Sequence, residues 1–276
     1  MRTWALIVDT WREALARYTL LGFLIASTLF ILTLTFALNL DIVDGALAAG
    51  TLFGKSLELP GRPVPIDEVV TTGEAFFAGT AYALGLFLAV FTTGSQVPNL
   101  MRRGTADLYL TRPVSRVHVL LGRFLGAVTL VAANLAYLCG GVFVVISLKT
   151  GVWNGRFLLA GGIIFFVFLS YLGFMFLVGA LSGSTPLSIM VPYALYVISL
   201  PLAAHDQISA AMDSRLAARV VEVLYWILPK TAELGRDMVQ VVLGKGAPSV
   251  PTLATTGAFG LACLVLALLR FSRKDF

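Results

Sequence analysis

Four stretches of this chain carry residue types that chemistry uses. Residues 49–56 read Ala-Gly-Thr-Leu-Phe-Gly-Lys-Ser, a relaxed phosphate-binding-loop pattern ending in Gly-Lys-Ser. That pattern cradles phosphate only where it joins a strand to a helix in an α/β domain with an acidic, metal-holding strand elsewhere. Here its flanks are an apolar run and a segment holding Pro60, Pro63 and Pro65, so the match reads as chance. His205-Asp206 contains an acid–base pair, but adjacent residues in regular structure point apart and no nucleophile is placed beside them. Cys139 and Cys263 lie inside apolar runs, without metal-ligand spacing, and read as small core hydrophobes. The fourth stretch, residues 101–116, holds the densest positive charge: Arg102, Arg103, Arg112 and Arg116, followed by Arg123.

This basic stretch has its own local logic. Gly104 permits a sharp turn, and residues 105–111 are enough for about two helical turns. Leu108 and Thr111 share one side, whereas Asp107 and Arg112 are polar. Pro113 stops the helix, because it lacks an N–H and biases Arg112 away from the α region. The expectation is a small, basic, partly apolar knob held outside the bilayer between two spans.

The elements that must hold it are apolar. Charged residues are 13% of the 276, against about a quarter in soluble domains. Several runs of eighteen or more residues carry no charge, which marks membrane spans. The chain reads as one all-α integral membrane domain with six spans at residues 20–40, 75–99, 117–148, 157–181, 187–204 and 252–269. Its net charge of +5 comes from arginines flanking spans, not from a basic stripe interleaved with aromatics, so nucleic acid is excluded as a partner. Gly122 and Gly126 form a Gly-x-x-x-Gly pair, which either lets a helix approach closely or reflects the tolerance of membrane helices for glycine. Thr33, Thr35, Asn39, Asn134, Ser170 and Tyr171 are the weakly polar span residues, read as hydrogen-bonding between helices in preference to lining a path.

Outside the spans lie three further pieces. In residues 1–18, Trp4, Ile7, Val8, Trp11, Leu15 and Tyr18 recur at helical spacing, opposite Asp9, Glu13 and Arg17. That pattern predicts an interfacial amphipathic helix and not a targeting peptide, since no short apolar core with a cleavage site follows. Residues 41–74 read as an acidic loop containing Glu74. Residues 205–251 carry the stripe Leu216, Val220, Val223, Leu224 and Ile227, with Tyr225-Trp226 beside it. They predict two amphipathic helices on, or dipping into, the outer leaflet.

Six spans put both termini on one side. That side collects Arg2, Arg12, Arg17, the cluster from Arg102 to Arg123, and Arg270, Arg273 and Lys274, while the first outer loop is net acidic. By the positive-inside pattern both termini are expected in the cytoplasm, with the basic knob. Arg123 is expected to project into the cytoplasm or snorkel. No span carries a carboxylate, Lys or Arg near its midpoint, which disfavours a proton- or ion-coupled carrier.

The run Gly104-Thr105-Ala106-Asp107-Leu108-Tyr109-Leu110-Thr111-Arg112-Pro113-Val114-Ser115-Arg116, followed by Leu121-Gly122-Arg123-Phe124-Leu125-Gly126, resembles the signature of ABC-2-type transporter permeases. The nearest resemblance is to the branch that includes the nitrous-oxide reductase maturation permease. The C-terminal basic-aromatic tail fits the same family. Before Gly104 the family often has a Glu; here Met101, Arg102 and Arg103 stand there.

The resemblance implies a permease subunit of a prokaryotic cytoplasmic (inner) membrane exporter. It would act as a dimer with a second copy or a homologous permease, in contact with membrane lipids. ATP and Mg would be held by a separate ABC ATPase subunit, so this chain would be no enzyme and would carry no catalytic residue, metal or cofactor. Residues 102–116 would be the coupling segment, with Arg102, Arg103, Gly104, Thr105, Asp107, Leu108, Tyr109, Thr111, Arg112, Pro113 and Arg116 meeting the ATPase. Trp4, Trp11, Arg12 and Arg17 would belong to an interfacial elbow helix, and the outer region would include re-entrant helices. The competing class is a non-transporting membrane anchor or assembly protein that holds a partner through its outer loops. An anchor needs no coupling segment. An intramembrane hydrolase lacks a catalytic constellation.

Overall fold

The computed structural model describes residues 2–16, 18–43, 46–52, 55–56, 65–101, 115–212 and 214–273. Helices dominate. In chain order they are α1 (Arg2–Ala16), α2 (Thr19–Ala37), α3 (Ile66–Thr93), α4 (Gln96–Leu100), α5 (Arg116–Thr150), α6 (Arg156–Ser182), α7 (Thr185–Leu202), α8 (His205–Ala210), α9 (Arg215–Ile227), α10 (Thr231–Val242) and α11 (Val250–Ser272). Among the described residues, five helical stretches are long and apolar enough to cross a membrane. There are up to six if α1 and α2, which meet at 70°, count as one bent span.

The first loop departs from an all-helical chain. Strands β1 (Leu38–Val43), β2 (Ala46–Leu52) and β3 (Lys55–Ser56) form an antiparallel meander with Leu38 opposite Leu52 and Thr51 opposite Ser56. Ile42, Val43 and Thr51 lie in these strands, and β-branched residues suit a pleated ribbon better than a helix. Lys55 and Ser56 of the phosphate-loop-like pattern form β3 and pair with β2, which is not the strand-to-helix setting that phosphate binding needs.

Contacts fix the running directions. Asn134 Nδ2 donates to Ser27 Oγ at 3.1 Å, and Lys149 Nζ donates to the Thr35 carbonyl, so α2 and α5 run side by side in the same sense. Asn154 bonds to Glu74 and Val97 packs at Gly179, so α3–α4 and α6 also share one direction. Tyr193 donates to the Phe87 carbonyl at 2.6 Å while Ile189 packs at Gly94, so α7 runs opposite to α3. The result is an up-and-down bundle. Residues 101 and 115, the turn at Gly183 and the C-terminal end of α11 all lie at one end.

The core centres on α6, whose Val167, Phe168, Tyr171, Leu172 and Phe176 are buried. Gly173 and Gly260 bring α6 and α11 into backbone contact, and a methyl group on either would collide with the opposite chain. Between apolar helices in lipid, such close approach supplies the packing that a hydrophobic effect cannot.

Several polar span residues stay inside this bundle. Ser170 Oγ donates to the Thr256 carbonyl at 2.9 Å, and Tyr171 OH lies 2.9 Å from Thr231 Oγ1. Glu74 is not a loop residue. Helix α3 begins at Ile66, directly after Pro65, with Asp67 and Glu68 in its first turn where negative charge complements the helix dipole. That start carries Glu74 into the third turn, fully buried.

Candidate functional site

Most of the expected coupling segment, including Arg102, Arg103, Gly104, Thr105, Asp107, Leu108, Tyr109, Thr111, Arg112 and Pro113, lies outside the described residues, as does Arg17. Its base is described on both sides. Helix α4 delivers the chain to Met101, and Ser115 restarts it by capping α5: its Oγ accepts the His118 N–H at 3.3 Å. Arg116 is the first residue of α5.

The base is an ion-paired junction. Arg123, two turns into α5, is 4% exposed. One guanidinium nitrogen bonds Asp9 Oδ2 at 3.0 Å and the other pairs with Glu13 Oε2. Asn99 Nδ2 of α4 donates to Glu13 Oε1 at 3.2 Å. Three helices thus meet at the Glu13 carboxylate. The expectation that Arg123 snorkels is corrected here, because two carboxylates one turn apart on α1 share a face and reach it.

The glycine pair explains how α1 gets so close. A methyl group at Gly122 would sit 2.5 Å from Leu6 Cβ, and one at Gly126 would sit 2.5 Å from Thr10. Trp11 Nε1 donates to Thr129 Oγ1 at 3.0 Å, one turn further along α5. So Leu6, Thr10 and Glu13 face the bundle, while Trp4, Arg12 and Leu15 are exposed. The packed side of α1 thus includes polar residues, while Trp4 and Leu15 of its apolar stripe face outward.

The opposite end of the bundle relies on apolar packing and single hydrogen bonds. Helix α10 inserts between spans, with Leu234, Met238 and Val242 wholly buried. Tyr82 OH donates to the Thr231 carbonyl at 2.6 Å, and the Lys230 N–H donates to Thr256 Oγ1 at 3.1 Å. Asn154 Nδ2 bridges Glu74 Oε2 at 2.7 Å and the Val242 carbonyl at 3.2 Å. Of the two outer helices expected on the leaflet, only α9 is left uncovered: Leu216, Val220, Val223 and Ile227 are all exposed.

Between α9 and α10 lies a small aromatic stack. The His205 ring lies 3.5 Å, centroid to centroid, over Tyr225, and Lys230 Nζ sits 4.0 Å from Tyr225 and 4.3 Å from Trp226. Partial burial pushes the Tyr225 hydroxyl up to about 12, reinforced by its hydrogen bond to Glu233 and by the Glu233 and Asp206 charges. His205 Nε2 does reach Asp206 Oδ1, at 3.1 Å, because both sit in the first turn of α8. Asp206 is 91% exposed, which makes the pair a surface contact.

A bundle of apolar helices with its charges drawn to the two ends defines a helical, membrane-embedded protein. The chain matches no protein-family model and no curated protein.

The residues that sequence reasoning missed share one trait: each is polar and meets its partner from a distant part of the chain. Asn99, Glu74 and Thr231 are of this kind. Only the Asp9–Glu13 spacing left a readable trace, since two carboxylates on one helix face invite a cation.

Proposed function

We propose that this chain is the membrane-spanning permease subunit of an ATP-driven ABC-2-type exporter. It pairs with a second copy or a homologous permease and takes its energy from a separate ABC ATPase that holds ATP and Mg. It resides in a prokaryotic cytoplasmic membrane with six spans, both termini and residues 102–114 facing the cytoplasm.

The observation that carries this reading is the Arg123 junction. The family-like segment springs from α4 and α5, and both helices are tied through Arg123 and Asn99 to Glu13 of α1. A push on the segment is therefore delivered to three helices together. An unanchored loop would absorb it. Such a mechanical role needs a stiff base, and buried charge-assisted bonds in a low-dielectric setting supply one. In this reading Arg102, Arg103, Arg112 and Arg116 meet acidic groups of the ATPase, Leu108 and Tyr109 fill an apolar pocket on it, and Pro113 fixes the turn.

The test is co-purification in mild detergent with nucleotide-binding proteins of the source organism expressed alongside. Recovery of an ATPase at one copy per permease, lost with Leu108→Asp while membrane insertion is unchanged, is the expected result. Full ATPase recovery with Leu108→Asp would remove the docking assignment. Recovery of an outer-face partner with no ATPase would make the chain a membrane anchor or assembly protein instead.

A further inference from the structure

Halfway along the bundle a cavity of about 150 Å³ opens between α3, α6 and α7. Its walls are aromatic. Phe87 and Tyr193 stack at 4.5 Å with ring planes 14° apart, and Tyr171 and Tyr196 stand nearby, with Leu86 and Val90 completing the lining. Residues 83–90 lie at the middle of the 35-residue stretch Ile66–Leu100, and Tyr193 and Tyr196 at the middle of α7. The cavity therefore sits at the depth of the bilayer centre. Leu84 and Phe87 at its rim are 57% and 51% exposed, so it opens sideways and not toward either aqueous face. An occupant must arrive dissolved in the hydrocarbon.

The polar groups narrow its chemistry. Tyr171 OH is taken by Thr231 Oγ1, and Tyr193 OH by the Phe87 carbonyl. Tyr196 OH bonds to none of the described residues, and Tyr196 is part of the cavity lining. In hydrocarbon a free hydroxyl is costly, because no water is there to satisfy it. An apolar cavity of this size takes a benzene-sized guest and excludes water. Aromatic walls add offset stacking to the apolar contact, and one placed polar group sets orientation, as in small-molecule sites generally.

We propose that this cavity binds a single aromatic ring bearing one hydrogen-bonding group, delivered from the membrane, with Tyr196 OH as its polar contact. The stacked Phe87–Tyr193 pair walls the ring on one side, and Leu86 and Val90 fill its edge. The proposal concerns binding alone and does not rest on the permease reading, so it is tested without an ATPase.

The experiment uses the full chain in lipid nanodiscs and a photoactivatable alkylphenol as probe, with the crosslinked peptides read by mass spectrometry. Label is expected on the peptides holding residues 83–90 and 193–196, competed by unlabelled alkylphenol at about fivefold lower concentration than by the matching alkylbenzene, the worth of one hydrogen bond. Tyr196→Phe, which keeps the shape, is expected to erase that fivefold preference. Ala83→Trp, at the exposed rim, is expected to abolish label at both peptides while leaving label on the lipid-facing side of α11 around Leu261 and Val265. Label insensitive to Ala83→Trp, or a preference that survives Tyr196→Phe, would overturn the site. Equal competition by a saturated fatty acid would also overturn it, since the cavity would then be a seam filled by ordinary lipid chains.

Discussion

The two ends of the bundle solve the same problem in opposite ways. Each must fasten a helix that is not a span: α1 at the end near residues 101 and 115, α10 at the other. Helix α1 is held by charge, through one buried guanidinium shared by Asp9 and Glu13, and by two glycines that bring the backbones together. Helix α10 is held by shape and single hydrogen bonds, with three wholly buried apolar side chains and a tyrosine on each side of Thr231. A charged clamp is stiff but fails as a unit, because removing one member strands the others. An apolar socket loses strength in steps, one side chain at a time. The charged clamp sits beside the segment we assign to coupling, where a rigid lever is useful.

Removing the cation is expected to have the largest effect. Arg123→Leu leaves Glu13 and Asp9 without their guanidinium, and breaking a buried pair from one side costs about 3–5 kcal/mol. The lower part of that range applies, since the Asp9 side chain is half exposed. Thermal unfolding in detergent should show the loss, and limited proteolysis should cut α1 free while the remaining spans stay protected. Adding Glu13→Gln and Asp9→Asn to Arg123→Leu should restore much of it. A triple variant as unstable as the single one would mean that the guanidinium packs and does not pair.

The opposite end should respond in smaller steps. Leu234→Ala in α10 opens a cavity at a wholly buried position and is expected to cost about 2–4 kcal/mol, with no release of α1. Tyr82→Phe removes one donor from the Thr231 carbonyl while Tyr171 keeps its bond to Thr231 Oγ1. Its cost is expected near 1 kcal/mol. Hydrogen exchange should place both losses in residues 229–243. Loss of protection in α1 with either variant would show that the two ends are one cooperative unit.

What the sequence made legible follows the same division. Long uncharged runs announce helices that cross a membrane, because hydrocarbon leaves the backbone no alternative partner. The cysteines, and Asn134, Ser170 and Tyr171 among the weakly polar residues, read correctly as interior groups, whereas Thr33 is exposed and Asn39 lies in β1 instead of a span. Glu74 did not, because a carboxylate beside an acidic loop looks like part of it, and only Pro65 with Asp67 and Glu68 marks the earlier helix start. Arg123 was misplaced because a lone arginine near a helix end snorkels unless something distant pairs with it. Asp9 and Glu13 are more than a hundred positions away. The candidate site was legible as a motif, while the clamp beneath it was not.

The sharpest case is α9 against α10. Both are amphipathic, neighbouring and similar in length, and the pattern alone cannot tell whether an apolar face will meet protein or lipid. Helix α10 follows Pro229 and turns inward on Thr231, whereas α9 keeps Leu216, Val220, Val223 and Ile227 outward. With Trp226 beside that stripe, α9 suits the membrane interface plane. Changing Leu216 and Val220 together to Ser is therefore expected to move unfolding by less than about 0.5 kcal/mol, the smallest effect of the series, because no protein contact is lost. In a variant keeping Trp226 as its one tryptophan, brominated lipids should quench its fluorescence strongly before the double change and weakly after it. Strong quenching that persists would place α9 on the membrane through Trp226 and Tyr225 alone. A large drop in stability would mean that its apolar face is covered by protein after all, and the contrast with α10 would vanish.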